Sequence, residues 1–545
     1  MRRLSICLIL PRFEPSYFGR EYMLPILPGD KRCMMIGGGL PLLAALIPDG
    51  HTVSIVDENV EKIDFAVVRE FDVVGITGMI VQKHRMDQIL EKLSGMKGIV
   101  CVGGPYATVD EQHFKDRCDV LFVGEADETW PRFLDDVASG RPFEHRYKQD
   151  AATDMSRLPT PRFDMVKTKH YASASIQFSR GCPFLCEFCD IIVIFGRKPR
   201  AKQPTQILAE LDALLRLGVR HVFFVDDNFI GNKALAKALL RELVKWQQRQ
   251  SYPMTFSTEA TLNLADEAEL MELMWRANFS SVFIGIESPR RESLLETRKV
   301  QNVRGDSIDA KLDRLRDAGI IVSAGFIVGF DNDDERVFEE QFDFIQRNGI
   351  GLATVSILSP IPSTPLYERL ERDGRLVPDD EVVWFEPKLM SRETLKQRYS
   401  ELNLRLYAPE AFFERLFQGY GRSTIFRKRH REREVRHKRA RLKQHIVGAS
   451  NSLAMIWRLS RAIARERLLG TMGRAYLRAY MAHNKPFGHD AMPLAEFLAL
   501  CARHWHHFKL AAENRSYWGR AGTRILDLSP MVEPEPALVR NRLAS

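Results

Sequence analysis

Short apolar runs alternate with helical stretches through the first 140 residues. The runs lie at residues 4–10, 52–56, 73–76, 99–102 and 120–123. Runs rich in valine, isoleucine and leucine are typical of parallel strands covered on both faces. Glycine-rich turns follow the last three runs, at the edge where doubly wound sheets bind ligands. The pattern predicts an α/β, Rossmann-like (flavodoxin-like) domain over residues 1–140, with a ligand at these turns.

The next two segments differ in their proline content and periodicity. Residues 141–172 are predicted to be a connector, because Pro159 and Pro161 disfavour a helix. Residues 173–370 repeat strand–helix units, which predicts a partial (β/α)6 barrel. In such barrels the reactive groups lie at the carboxyl ends of the strands. We therefore expect the site in the segments that follow the predicted barrel strands.

Residues 371–545 are predicted to be mainly helical, with candidate helices at 393–406, 410–417 and 451–481. The third would be amphipathic. One face would carry the arginines Arg458, Arg461 and Arg465, and the opposite face would carry the apolar residues Leu453, Ile456, Leu459 and Ile463. Its apolar face either docks on the protein's own core or contacts a membrane surface, and the sequence leaves both open. The stretch from Pro530 onward is predicted to be a loose tail.

Charge is concentrated in one part of the 545-residue chain. Residues 427–443 hold ten Lys/Arg and two Glu, which equals the net charge of +8 of the whole chain. Attraction to anions is therefore local to this basic segment, which is either a solvated helix face or a phosphate or lipid-headgroup site. No run of eighteen apolar residues occurs, and Pro11 ends the first run too early for a signal peptide. We expect a cytoplasmic protein, with peripheral attachment to the inner membrane face as the alternative.

Three of the eight cysteines, Cys182, Cys186 and Cys189, form the pattern CxxxCxxC. Three thiolates at this spacing can bind three irons of a 4Fe–4S cluster and leave the fourth iron open to a small molecule. A zinc site would need a fourth Cys or His nearby, and His170 lies before the motif on the connector. The other cysteines are scattered singly, as expected for reduced thiols. The three cysteines are therefore predicted to be the metal ligands of a cluster.

This segment resembles the radical S-adenosylmethionine (SAM) superfamily. The resemblance implies that SAM binds the open iron and is cleaved to a 5′-deoxyadenosyl radical. It also implies SAM contacts from residues near the strand ends: Phe188, Asp226, Asp227, Asn228, Glu259, Glu287, Gly325 and Gly329. In this interpretation the run Asp226-Asp227-Asn228 occupies the place of a glycine-glycine-glutamate motif. That motif accepts a hydrogen bond from the ammonium group of SAM. The alternative is that Asp226 or Asp227 caps the next helix.

The first 140 residues resemble the cobalamin-binding domain that precedes many radical SAM domains. The matching stretches are residues 39–45, 50–53, 57–59, 103–108 and 124–125. The resemblance implies cobalamin contacts from these residues: Thr77, Gly103, Gly104, Pro105, Tyr106, Gly124 and Glu125. The chain departs from the DxHxxG pattern, whose histidine binds cobalt in many such domains, because Asp49-Gly50-His51 lacks the glycine and precedes a strand. The group at the lower side of cobalt is therefore not identified.

Over roughly residues 1–420 the chain resembles the cobalamin-dependent radical SAM methyltransferases of the hopanoid C-2 methylase type. The resemblance implies methylation of an unactivated carbon of a small-molecule or hopanoid-like lipid substrate, using methylcobalamin and the 5′-deoxyadenosyl radical. It also implies a flavodoxin- or ferredoxin-type electron donor, and no nucleic-acid partner is expected. Two alternatives stay open: a cyclase or rearrangement enzyme with the same cofactors, and an iron–sulfur/cobalamin electron-transfer module that does not cleave SAM.

Overall fold

A computed structural model describes residues 2–149, 151–377, 382–440 and 445–514. The predicted tail from Pro530 onward and residues 441–443 of the basic segment lie outside this part of the chain. Within it, two parallel sheets are followed by a helical C-terminal region. The α/β class, the Rossmann-like first domain, the partial barrel and the helical extension are all confirmed.

The first domain is built on a parallel sheet of six strands. Its region contributes, in chain order, β1 (Ser5–Leu10), β2 (Cys33–Ile36), α1 (Gly39–Ala45), β3 (Thr52–Asp57), α2 (Phe65–Val68), β4 (Val73–Thr77), α3 (Lys83–Leu93), β5 (Ile99–Gly103), α4 (Pro105–Val109), α5 (Glu111–Phe114), β6 (Val120–Val123), α6 (Thr129–Ala138) and β7 (Arg146–Lys148). The sheet has the order β3-β1-β4-β5-β6-β7. The strand order reverses beside β1, which places a ligand crevice at the carboxyl ends of β1 and β4.

All five predicted strands of this domain are present, and two further strands were not predicted. β7 lies inside the predicted connector and pairs with β6 through Leu121–Arg146. β2 leaves the first domain and pairs in parallel with the first barrel strand, from Cys33 opposite Tyr171 to Ile36 opposite Ala174. Both strands are short, so their periodicity gave no signal in the sequence. The first domain and the barrel are therefore joined by a shared sheet edge as well as by the chain.

The barrel sheet has the order β15-β14-β13-β12-β11-β8-β2. Its region contributes β8 (Tyr171–Ile176), β9 (Ser179–Arg180), α7 (Ile191–Ile194), β10 (Arg200–Ala201), α8 (Pro204–Arg216), β11 (His221–Phe224), α9 (Lys233–Arg249), β12 (Thr255–Glu259), α10 (Ala268–Arg276), β13 (Phe279–Glu287), α11 (Arg291–Glu296), α12 (Ile308–Asp317), β14 (Ile321–Val328), α13 (Val337–Arg347), β15 (Leu352–Ile357) and α14 (Pro365–Arg372). Every predicted barrel strand is present. Side chains alternate along each strand, so Val282, Ile284 and Ile286 of β13 pack in the core.

The C-terminal region contributes α15 (Arg392–Leu406), α16 (Pro409–Arg422), α17 (Thr424–Ala440), α18 (His445–Arg465), α19 (Leu469–Ala479), a π-helix (Tyr480–Asn484) and α20 (Leu494–Ala512). The predicted single helix over 451–481 is wrong, because the chain turns at Arg467, whose φ is +61°. The predicted apolar face divides between the two alternatives. Leu459 and Ile463 are buried, whereas Leu453 and Ile456 are exposed.

The basic segment contacts the barrel more closely than a solvated face would. Arg433 is buried and donates to the carbonyls of Phe279 and Gly319. Arg429 donates to the Ala318 carbonyl and to Glu272. These arginines satisfy carbonyls at the ends of barrel elements, where cations are favourable. Among the described residues, no helix is both long and apolar enough to cross a membrane.

Candidate functional site

The cysteine loop begins directly after β9 at the carboxyl edge of the barrel. Gly181 adopts φ +92°, and a methyl group there would lie 2.9 Å from the Gly196 carbonyl oxygen. Only glycine suits this backbone position without strain. The Cys182 N–H donates to the same carbonyl at 3.3 Å, and the Cys189 N–H donates to the Cys186 carbonyl at 3.2 Å. The loop is therefore wound tightly at both ends.

Two aspartates that follow β11 fix the entrance of this loop. Asp226 accepts from the backbone N–H of Ser179 and from its hydroxyl at 2.7 Å, and Asp227 accepts from the Gly181 N–H at 2.9 Å. Burial raises the pKa of Asp226 to about 7 and that of Asp227 to about 6. The predicted contact of these carboxylates with SAM stays a prediction. Their observed role is to hold the backbone that precedes the cysteines.

Two of the three thiols have side-chain amides from outside the loop beside them. The Gln301 side-chain amide donates to Cys186 Sγ at 3.5 Å, and the Asn228 amide lies 3.9 Å from Cys182 Sγ. Both amides are buried. No three Cys, His, Asp or Glu side chains converge on one metal ion within the described part of the chain. A cluster does not require such convergence, since each of its cysteines binds a different iron.

A buried lysine lies beside the thiols. Lys299 Nζ lies 2.7 Å from Glu287 Oε1, and both side chains are at most one-tenth exposed. Burial lowers the pKa of Lys299, but Glu287 and the thiolates of Cys186 and Cys189 raise it above the usual value. Glu287 adopts φ +67° at a β-bulge, which turns its carboxylate toward this lysine. The result is a cationic group close to the predicted cluster.

Glu259, at the end of β12, differs from Glu287 in having no side-chain hydrogen bond to a described residue. Burial raises its pKa to about 7, and the neighbouring carboxylates of Asp227 and Asp226 act in the same direction. An acceptor without a partner in a buried site is a candidate ligand contact. Of the two glutamates predicted to contact SAM, Glu259 is thus the one whose carboxylate remains available.

The remaining predicted SAM contacts lie around the same edge. The Phe188 ring lies 6.3 Å from the Phe330 ring and 5.8 Å from Lys299 Nζ. Gly325 faces the Phe283 ring, which a methyl group at this glycine would meet at 3.0 Å. Gly329 adopts φ +103°, and a methyl group there would meet Leu395 at 3.1 Å. Glycine at this last position is explained by its backbone and by packing, and its predicted contact with adenine stays a prediction.

A cavity of about 270 Å³ lies at the carboxyl edge of the first sheet and extends to β8 and α8 of the barrel. Its lining includes Thr77, Pro105 and Glu125 among the predicted cobalamin contacts, together with these glycines: Gly38, Gly39, Gly75, Gly103, Gly104 and Gly124. Tyr106 is not in the lining, because its side chain is buried in the domain core against Phe114. The glycine walls keep open the crevice that the strand order predicts.

Two buried polar atoms of this lining have no hydrogen-bond partner: Trp130 Nε1, a donor, and Glu210 Oε2, an acceptor. The other carboxylate oxygen of Glu210 is bound to Lys202 at 2.5 Å. Unsatisfied buried atoms cost free energy, so their position at a cavity wall indicates a ligand. A ligand rich in amides fits, because an amide both accepts and donates.

The turn after β6 is bound to the cysteine loop by buried charges. Arg180 lies 2.7 Å from Glu125 Oε1 and 2.5 Å from Asp127 Oδ2, and the three side chains are at most 7% exposed. Arg200 also reaches Glu125, at 3.0 Å. The carboxylate of Glu125, a predicted cobalamin contact, is thus committed to arginines of the barrel. Since Arg180 lies two residues before Cys182, this network ties the cavity edge to the cysteine loop.

The two edges face one another across the domain boundary. α4, which begins at the cavity wall, packs against α7, and Ile194 of α7 joins the apolar core of the first domain together with Ile361. The Ser363 hydroxyl donates to the Val109 carbonyl at 3.2 Å. The first domain therefore covers the side of the barrel that carries the cysteines.

Sequence reasoning missed Arg180, Lys299 and Gln301. Arg180 stands beside the cysteine motif. The sequence signal for its partner was the acidic turn after β6, which contains Glu125 and Asp127. Lys299 and Gln301 lie in an irregular segment after α11. No periodicity or spacing relates that segment to the cysteines, so only the fold brings these residues together.

Three family models match the chain. They are described as B12 binding domain (residues 37–134), Radical SAM superfamily (residues 176–345) and Domain of unknown function (DUF4070) (residues 364–518). The first two cover the cavity and the cysteine loop. The third covers most of the described helical region.

Two curated relatives align over most of their length. An uncharacterized methyltransferase of Synechocystis sp. is 38% identical over 419 residues, which are 75% of this chain and 77% of the relative. The hopanoid C-2 methylase of Rhodopseudomonas palustris is 35% identical over 422 residues, 76% of this chain and 78% of the relative.

One solved structure with a similar fold is that of OxsB, a cobalamin-dependent S-adenosylmethionine radical enzyme, with aqua-cobalamin and S-adenosylmethionine bound. Its TM-score is 0.58 at 15% identity, over 92% of this chain and 83% of that chain. This likeness concerns the fold, which includes both the first domain and the barrel.

Proposed function

The chain belongs to the family of cobalamin-dependent radical SAM methyltransferases, and from this premise we propose that it methylates an unactivated carbon of a polycyclic, hopanoid-like lipid. The family's cofactors are a 4Fe–4S cluster, SAM and cobalamin. When bound, they supply reductive cleavage of SAM and a methyl group carried on cobalt.

The residues present fit these groups. Cys182, Cys186 and Cys189 would bind the cluster, and the amides of Asn228 and Gln301 would donate to its sulfur ligands. The glycine-walled cavity, with its unpartnered indole N–H and carboxylate oxygen, fits the amide-rich periphery of cobalamin. No histidine lies in the lining of the cavity, which agrees with the missing DxHxxG pattern.

The protein's own side chains would orient and shield the reaction. Glu259 would be available to accept a hydrogen bond from the ammonium group of SAM. Lys299 would offer a positive charge to the carboxylate group of SAM. Asp226 and Asp227 hold the cysteine loop at a fixed position. The buried charges around Arg180 close the domain boundary beside the loop. Exclusion of water protects reactive species from side reactions.

The observation that carries the methyl-transfer part of the proposal is the arrangement of the two edges, whereas the lipid substrate is supported by the 35% identity with the hopanoid C-2 methylase. The cysteine loop and the glycine-walled cavity open at one domain boundary and are joined by the ion pair between Arg180 and Asp127. A methyl carrier and a hydrogen-abstracting group must both reach one substrate carbon, which this arrangement allows. An electron-transfer module that holds a cluster and cobalamin would not require both groups to reach one substrate carbon.

Anaerobic reconstitution with iron, sulfide and cobalamin tests the proposal. With SAM, a reductant and a hopanoid lipid, we expect 5′-deoxyadenosine and a product that is heavier by one methylene unit. Cys186→Ala should lose iron and form neither compound. Cys501→Ala is the matched control, because Cys501 is a buried thiol of α20 outside the site.

The alternatives predict other results. Formation of 5′-deoxyadenosine with a product of unchanged mass, or one rearranged without added carbon, would favour a cyclase or rearrangement enzyme. Iron incorporation without any SAM cleavage in the presence of substrate would favour the electron-transfer module. Cleavage without bound cobalamin would exclude methyl transfer by this route.

A further inference from the structure

The helices α18 and α19 expose apolar side chains next to arginines. Leu453 is 69% exposed, Trp457 60% and Leu477 64%. On α18, Leu453, Trp457, Arg461 and Arg465 follow one another at intervals of four residues and are all exposed. Residues four apart lie on the same face of a helix. We call the exposed residues of these two helices the apolar–basic surface.

The opposite side of α18 accounts for its attachment to the protein. Met455, Leu459 and Ile463 are buried, and α18 packs against α20. Arg458 is directed inward as well and donates to the Leu27 carbonyl at 2.5 Å. The helix therefore already has a complete docking face. The side chains of Leu453 and Trp457 are not needed for packing within the described part of the chain.

The exposed charged side chains described for these two helices are arginines. On α18 they are Arg461 and Arg465, since Arg458 is directed inward, and on α19 Arg478 Nη1 lies 3.6 Å from Glu410 Oε1. The Arg461 guanidinium lies 5.3 Å from the Trp457 ring centre. On α19, Arg474 and Arg478 are exposed beside Leu477, and Met481 follows one turn later. Tryptophan and leucine among arginines on an exposed face are typical of helices that lie in the interface of a bilayer.

The more basic segment before α18 is a weaker candidate. Arg429 and Arg433 of α17 are bound to barrel carbonyls, and the Arg436 guanidinium lies 4.1 Å from the Trp275 ring centre. These arginines are committed to the protein. α17 also exposes Ile425 and Val435 beside Lys428 and Arg431. The apolar–basic surface differs because its apolar side chains include a tryptophan and two leucines that are 60–69% exposed, which a soluble anion would not require.

We propose that the apolar–basic surface docks on an anionic lipid bilayer, with Leu453, Trp457 and Leu477 inserted among the headgroups. The inference rests on the proposed function in one respect only. A polycyclic lipid substrate resides in a membrane, so docking would bring the protein to its substrate. The net positive charge complements anionic headgroups. The apolar side chains then supply the burial that a purely electrostatic contact lacks.

Vesicle co-sedimentation of the reconstituted full chain, without SAM or substrate, tests the proposal. The probes are vesicles of pure phosphatidylcholine and vesicles enriched in phosphatidylglycerol. We expect binding to the second kind, weakened by salt. The variant Leu453→Glu/Trp457→Glu/Leu477→Glu should lose binding by at least tenfold. Arg461→Gln should weaken it by about fivefold, since one surface cation contributes about 1 kcal/mol.

Leu235→Glu is the matched control, because Leu235 is an exposed leucine on α9 of the barrel. It should bind vesicles as the unaltered chain does. Equal binding by the triple variant, or no binding by the unaltered chain, would overturn the proposal. A dimer in sedimentation velocity that the triple variant abolishes, without vesicle binding, would assign the surface to a second copy instead. Because SAM cleavage is measured separately, failure of docking and failure of the proposed function remain distinguishable.

Discussion

The cysteine loop and the cavity lie at the carboxyl edges of two parallel sheets, but they are built in opposite ways. Around the loop, buried polar groups bind one another: Asp226 holds Ser179, and Glu287 holds Lys299. Around the cavity, glycines leave space, and Trp130 and Glu210 keep polar atoms without partners. The first edge fixes positions, and the second leaves a cavity of about 270 Å³. The loop is thus preorganised by the protein, whereas the cavity wall retains polar atoms that the described residues do not satisfy.

Arg180 is the link between the two edges, and its removal should have the largest effect. Arg180→Met would leave Glu125 and Asp127 buried without their main partner, which costs about 3–5 kcal/mol. We expect a lower urea midpoint of the apoprotein by circular dichroism. Adding Asp127→Asn to this variant should recover most of the loss, because Asp127 then carries no charge while Glu125 keeps its ion pair with Arg200. A double variant less stable than Arg180→Met would contradict the interpretation.

The two edges also differ in how far the sequence predicted them. The CxxxCxxC spacing identified the cysteines, and the glycine-rich turns identified the cavity, because both signals are local in the chain. The partners of these groups are not local. Gln301 lies more than a hundred residues after Cys186, and Arg180 meets Asp127 only because the domains pack together. Spacing within a segment can be read directly, whereas pairing between segments depends on the fold.

The same distinction holds for the fold. Short apolar runs predicted five strands of the first sheet and six of the barrel sheet. The four residues of β2 carried no detectable period, and their pairing with β8 bridges two domains. In the C-terminal region, helical periodicity was visible, yet it did not indicate which side of α18 faces inward. Arg458 points to Leu27 while Leu453 is exposed. The amphipathic pattern of α18 could not predict which side faces inward, because the exposed face is itself partly apolar.

The buried carboxylates of the loop edge should make stability depend on pH. Burial raises the pKa of Asp226 to about 7 from an ordinary value of 3.8. Between these values the folded state binds more protons than the unfolded state, so stability falls as pH rises. The full difference amounts to about 4 kcal/mol. Asp226→Asn keeps an acceptor for Ser179 but does not titrate.

We expect the unfolding free energy of the unaltered apoprotein, relative to that of Asp226→Asn, to fall between pH 4 and 7 and to level off above pH 7. Burial lowers the pKa of His504 and that of His506 to about 3, which acts on stability in the opposite direction but cancels in this difference. Urea titrations at each pH provide the measurement. Asp164→Asn is a control, because Asp164 is an exposed carboxylate paired with Arg162. Parallel profiles for Asp226→Asn and the unaltered chain would show that Asp226 is not a source of the slope.

The cavity edge can be tested by filling it, and here the expected effect is smallest. Gly104 adopts φ +94°, and a methyl group there would lie 2.2 Å from Thr77 Oγ1. Gly104→Ala should displace Thr77 or α4 and weaken cobalamin binding about tenfold, which corresponds to about 1.4 kcal/mol. Gly140→Ala is a matched control, since Gly140 also has a positive φ, +67°, but nothing within 4 Å of the added methyl group. Gly104 also has ψ −169°, a conformation that essentially only glycine adopts, so Gly104→Ala carries backbone strain that Gly140→Ala does not reproduce. The urea midpoint of each variant measures that strain, and equilibrium dialysis measures cobalamin binding. Loss of cobalamin by Gly104→Ala at an unchanged urea midpoint would support the assignment of the cavity, and retention of cobalamin would contradict it.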